Sequence, residues 1–114
     1  MIETKLGEFE EVILLLTGIL NKDAYALKIA EEFETQTGRY VSVGSVHSTL
    51  ERLEGKGFVS SEMGPATAVR GGRRKRIFKV TALGKRVLSE LMDFRISLWK
   101  QYPTLEGRVR FGQL

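Results

Sequence analysis

The stretch RGGRRKRIFKVT, Arg70 to Thr81, places six cations among its first ten residues (Arg70, Arg73, Arg74, Lys75, Arg76 and Lys79) and no acid. The run passes without a break into a segment carrying Ile77, Phe78 and Val80. Such a run is either a solvated charged loop or a grip on an anion. Its position in the chain decides between them.

Working outward, Phe58 to Met63 reads as a strand, Gly64 and Pro65 open a loop, and Arg76 to Val80 reads as the returning strand. The cationic run is then the tip and second strand of a β-hairpin. Its basic part is expected to face solvent or phosphate. Ile77, Phe78 and Val80 are expected to tie the strand to the core.

Upstream, Phe9, Val12, Ile13, Leu16, Ile19 and Leu20 recur at helical spacing and predict a helix from Leu6 to Leu20. Glu8, Glu10 and Glu11 suit the positive end of its dipole. After a break at NKD, Asp23 is a candidate cap for a second helix, with Ala26, Leu27, Ile29, Ala30 and Phe33 as its apolar face and Gly38 as its stop. Ser42 is the candidate cap of a third helix that runs to about Gly55. Val46, Leu50 and Leu53 form a narrow stripe on it. Gly44, Ser45, Ser48, Glu51 and Arg52 point away from that stripe, and His47 and Thr49 lie on its flanks.

Downstream, Thr81 caps a fourth helix of roughly 20 residues, by the same periodicity. Leu83, Val87, Leu91, Phe94 and Leu98 make one stripe; Leu88, Met92 and Trp99 make a second beside it. This arc is wider than one small core requires of a terminal helix. Pro103 marks its end, and residues 104–114 form a tail.

The order is helix, helix, helix, strand, basic loop, strand, helix. That predicts a mainly α fold with a small β-hairpin (α+β), a winged helix-turn-helix with a C-terminal dimerisation helix. Residues 1–81 are expected to form the winged-helix domain, and 82–103 the helix packed on it.

The charge is polarised. Residues 1–64 carry 6 Lys/Arg against 11 Asp/Glu, and residues 65–114 carry 12 against 3, which points to an anionic partner for the second half. The chain has no cysteine and one histidine, His47, so neither a disulfide framework nor a thiolate or multi-His metal site is expected. The longest apolar run, Val12 to Leu16, is too short to span a bilayer, and acids stand where a basic leader would be. The expectation is a cytoplasmic protein with no membrane role. No Gly-x-x-x-x-Gly-Lys-[Ser/Thr] or Gly-x-Gly-x-x-Gly loop occurs, no Ser–His–Asp set stands out, and no enzyme or cofactor is expected.

With AYALKIAEEF in the second helix, VSVGSVHSTLERLEGKGFV in the third, and GGRRKRIFKVTALGKRVL over the wing and fourth helix, the chain resembles the PadR-type transcriptional regulators across roughly residues 6–98. The last segment is similar to that family's arginine-rich wing, aromatic strand and Thr-x-x-Gly-[Lys/Arg] helix start, here Thr81, Gly84 and Lys85. Val43 stands where the family usually has Pro, and His47-Ser48 where it usually has Tyr-Pro, so the family's usual operator preference does not carry over to this chain. The resemblance implies a homodimer with the C-terminal helix across the two-fold axis, agreeing with the wide apolar arc. It also implies a repressor relieved by a small, often aromatic, effector, and a short branch with one helix after the wing.

The candidate DNA-reading residues are Ser45, His47, Ser48, Thr49 and Arg52, because hydroxyls can bond base edges or phosphates and Arg can take guanine bidentately. The candidate wing contacts are Arg70, Arg73, Arg74, Lys75, Arg76 and Lys79, whose donors suit phosphate. Leu88, Leu91, Met92 and Trp99 are candidates for the dimer interface, and Trp99 also for an effector pocket. The expected partner is double-stranded DNA bearing a pseudo-palindromic operator. An RNA- or ribosome-associated basic protein, or a winged helix used for protein interaction, would share the charge pattern.

Overall fold

The structure is a computed structural model that describes residues 6–65 and 74–103. Its elements are α1 (Glu8–Leu20), a 3-10 turn (Asn21–Asp23), α2 (Ala26–Thr37), α3 (Val43–Gly55), β1 (Val59–Met63), β2 (Arg76–Val80) and α4 (Ala82–Gln101). The expected architecture is present: three helices, an antiparallel hairpin and a C-terminal helix.

The helix ends follow from local chemistry. At the start of α1 the Glu10 carboxylate folds back to accept the Gly7 N–H at 2.8 Å. Ser42 caps α3, its hydroxyl accepting the Ser45 N–H at 3.1 Å. Gly38 closes α2 in the left-handed region at φ 72°. Thr81 caps α4: its hydroxyl accepts from the Gly84 N–H at 3.0 Å and donates to the Gly57 carbonyl at 2.7 Å. One side chain thus starts α4 and holds it to the turn after α3.

Asp23 does not cap α2. It lies in the 3-10 turn, and α2 begins two residues beyond Ala24, with Tyr25 at the N-cap position and no side-chain capping bond. The Ala24 carbonyl accepts the Phe78 N–H at 2.8 Å, and Ala24 has φ −84° and ψ 74°. The link between α1 and α2 therefore serves as an edge for β2 before α2 can begin.

The core gathers Ile13, Leu14 and Leu16 of α1, Ile29 and Phe33 of α2, Val46, Leu50 and Leu53 of α3, and Phe78 and Val80 of β2. Val59 pairs with Val80 and Ser61 with Phe78. Alternation puts Phe78 and Val80 on the inner face and sends Ile77 and Lys79 to the other. Ile77 is only half-buried, so of the three apolar residues expected to anchor the strand, two do so. Close by, Gly84 lies against the Phe58 carbonyl. A Cβ there would fall inside van der Waals contact of that oxygen and 2.9 Å from Val80 Cγ1, so α4 approaches the hairpin only because residue 84 is glycine.

On α4, Leu91 is 6% exposed and Leu88 packs against the core. Both are expected at a dimer interface; the Leu91 side chain is spent inside the chain, while Leu88 is only partly buried. Met92 and Trp99 are half-buried, while Leu83, Phe94 and Leu98 remain exposed. The outward apolar surface of α4 therefore centres on the first stripe more than on the second. Arg95 ties α4 to α1 through Glu11 at 3.0 Å.

Candidate nucleic-acid interface

The outer face of α3 is built from small side chains. Gly44, Ser45 and Ser48 are exposed, and open space lies where a Cβ on Gly44 would stand. Arg52 and Glu51 continue this face, and His47 borders it half-exposed. Thr49 does not belong to it. Its side chain is buried at 1% exposure, donates to the Ser45 carbonyl at 2.9 Å and accepts from Arg52 Nη2 at 3.1 Å. The reason is angular: position 49 precedes Leu50 and follows Val46 by three, so it falls on the inner side of the flank.

Behind this face sits a charge cluster. Lys56 Nζ reaches both carboxylate oxygens of Glu10 at 2.9 Å, and Arg52 Nε lies 3.7 Å from Glu10 Oε2. Burial alone would raise the Glu10 carboxyl. The Gly7 N–H, the Lys56 ammonium and the Arg52 charge outweigh burial and hold its pKa below the usual carboxylate value. The cluster joins the first turn of α1 to the end of α3 and draws Arg52 back along its helix.

The described wing cations each occupy a different setting. Arg74 Nε donates to the Gly64 carbonyl at 2.8 Å. Lys75 Nζ sits 4.2 Å from the Tyr25 ring centroid. Arg76 reaches inward: Nη2 is 2.6 Å from Glu54 Oε1, Nε is 3.0 Å from Ser61 Oγ, and Nη1 is 3.9 Å from Glu51 Oε2. Lys79 is exposed on the strand face opposite Phe78. Arg70 and Arg73 lie outside the described residues. The hairpin nonetheless borders the outer face of α3, since Arg76 reaches Glu51 and the His47 ring stands edge-on to Phe78 at 6.4 Å.

Two exposed residues are not singled out by the sequence pattern. Arg39 and Tyr40, the latter 78% exposed, occupy the turn just before α3. Their signal is positional, because that turn leads into the outer helix face. Among the described residues no group of three His, Cys, Asp or Glu could hold a metal ion, and no helix is long and apolar enough to cross a membrane.

Two helices joined by a tight turn, the second offering a small polar face beside a basic hairpin, define a winged helix-turn-helix DNA-binding protein. Residues 15–90 match the Transcriptional regulator PadR-like family, and the chain belongs to that family of non-enzymatic DNA-binding regulators, whose members generally dimerise. It is 33% identical over 88 residues to an uncharacterised protein of Lysinibacillus sphaericus, covering 75% of this chain and 76% of that protein. Its fold is similar to that of a PadR-like transcription factor from Bacteroides fragilis, with 26% identity, a TM-score of 0.64, and 79% of this chain and 82% of that one covered. A Streptococcus transcriptional regulator at 20% identity shares the fold, with a TM-score of 0.66 and coverage of 87% and 94%.

The Glu10 cluster has a measurable consequence. A carboxylate whose folded pKa is depressed adds stability above its unfolded pKa, and that stability is lost as pH falls through the folded value. Glu10→Gln is expected to cost about 1.5–3 kcal/mol at neutral pH. It should also flatten the acid limb of the stability profile below the ordinary carboxylate range. Denaturant titrations of both proteins across that range check this.

Proposed function

We propose that the chain acts as a homodimeric, sequence-specific repressor on double-stranded DNA. In this reading α3 enters the major groove of a pseudo-palindromic operator, and the wing lies on the flanking backbone or minor groove. Residues 1–81 form the DNA-binding unit, and the helix within 82–103 joins two copies. The observation that carries the reading is the pairing of a small, hydroxyl-bearing α3 face with a basic hairpin along its edge. Ser45, His47, Ser48 and Arg52 are the base- or phosphate-facing residues, with Arg39 and Tyr40 at the entrance to the helix. Arg70, Arg73, Arg74 and Lys75 are the wing's phosphate contacts, and Lys79 belongs to its outer face.

If a dimer engages about 6–10 phosphates, its affinity for duplex DNA falls by about 10³–10⁵ between about 50 and 200 mM salt. The Arg73→Ala, Arg74→Ala double variant should lower the slope of log affinity against log salt by about 0.9 for each phosphate no longer neutralised, up to about 3.6 per dimer. An unchanged slope, or equal binding to structured RNA, contradicts the reading and favours the RNA-associated alternative.

Relief by a small aromatic effector is the finer part of the proposal. Trp99 supports it: the indole stacks on Tyr102 at 5.6 Å and 11°, and its buried Nε1 has no hydrogen-bond partner among the described residues. Planar aromatic compounds should quench the chain's single tryptophan and release DNA. Trp99→Phe should keep DNA binding while losing the release. A broad panel of such compounds that neither quenches nor releases would end this part.

A further inference from the structure

We infer that Arg76 is a positioning residue for DNA recognition, not a phosphate contact: with Glu54 and Ser61 it fixes the wing relative to α3. The inference rests on the DNA-binding function proposed for the chain. Three bonds close a ring across three elements. Arg76 Nη2 donates to Glu54 Oε1 at 2.6 Å, Arg76 Nε donates to Ser61 Oγ at 3.0 Å, and the Ser61 hydroxyl donates to Glu54 Oε2 at 2.8 Å. Both carboxylate oxygens and two nitrogens of the guanidinium, Nε and Nη2, are thereby used. Glu51 adds a second carboxylate at 3.9 Å, and the guanidinium carbon lies 5.0 Å from the Phe78 ring centroid. The charge that sequence offers to phosphate is already met by acids of α3. The Arg76 and Glu54 side chains are 36% and 32% exposed, so solvent screens the pair less than a fully open surface bridge.

Position gives the clamp its purpose. Towards its base the hairpin is tied by the Phe78 N–H to the Ala24 carbonyl and by the Thr81 N–H to the Phe58 carbonyl, and beyond Arg76 the Lys75 ammonium lies 4.2 Å from the Tyr25 ring centroid at the start of α2. Arg76 pairs with Met63 at the far end of the ladder. There a short two-stranded ribbon is freest to swing. A wing held at a set distance from α3 lets helix and wing engage one duplex together, without ordering the wing on binding. Loss of the clamp should leave the core, which is anchored by Phe78 and Val80, in place.

Sign separates this role from plain electrostatics. Removing the Glu54 charge makes the protein more positive, so charge alone predicts tighter DNA binding. The positioning role predicts the reverse. The test uses the full-length protein, its selected operator duplex and a random duplex over a salt series, with thermal melts alongside. Glu54→Gln and Arg76→Gln are each expected to weaken operator binding about tenfold relative to the random duplex. The salt slope of Arg76→Gln should stay at the wild-type value. The Glu54→Arg, Arg76→Glu exchange should recover part of the discrimination. Ser61→Ala, a small change on β1, carries the same comparison if either Gln variant melts early. Operator binding by Glu54→Gln as tight as wild type overturns the clamp. So does a salt slope shallower by about 1.8 per dimer in Arg76→Gln with discrimination intact. A wild-type protein that prefers no duplex overturns the DNA-binding function itself.

Discussion

Phe78 is the point through which the wing is joined to the helices. Its side chain is 1% exposed in the common core, and its N–H donates to the Ala24 carbonyl between α1 and α2. Its ring meets the edge of His47 on α3 and lies under the guanidinium of Arg76. Burial of an aromatic side chain of this kind contributes about 1.5–3 kcal/mol, against about 0–1 kcal/mol for an exposed ion pair. Apolar anchoring therefore sets where the hairpin lies, and the charges around it adjust its angle.

Strand alternation carries that constraint into function. With Phe78 facing in, Arg76 and Val80 must face in too, and Ile77 and Lys79 must face away. A run that looks uniform in sequence is thereby divided. Arg76 is turned to the acids of α3, Lys75 to an aromatic ring, Arg74 to a backbone carbonyl and Lys79 to the far side. The same logic holds on α3, where Arg52 is drawn towards Glu10 while Ser45 and Ser48 stay outward.

Much of this is legible from residues. The caps Ser42 and Thr81, the stop at Gly38, the buried stripe Val46–Leu50–Leu53 and the returning strand Arg76–Val80 each rest on local chemistry, and local chemistry is what a sequence records. The departures share another origin. Asp23 has no capping role because Ala24 is bonded to a strand more than fifty residues later. Leu91, expected against a partner, is covered within the chain, because the approach of α4 depends on the close packing at Gly84. The partners of Arg76 and Glu10 come from other elements, and no local pattern announces a pairing between residue 10 and residue 56. Thr49 is a matter of a few tens of degrees around a helix.

Symmetry matters as much as chemistry in the proposed function: two copies, each offering α3 with a wing at its edge, read one duplex. Selection of bound sequences from a random duplex library tests it most directly. The predicted result is an inverted repeat with half-sites about one helical turn, roughly 10 base pairs, or a multiple of it apart. Recovery of a single asymmetric site, or of no preferred sequence at low and moderate salt, would contradict it.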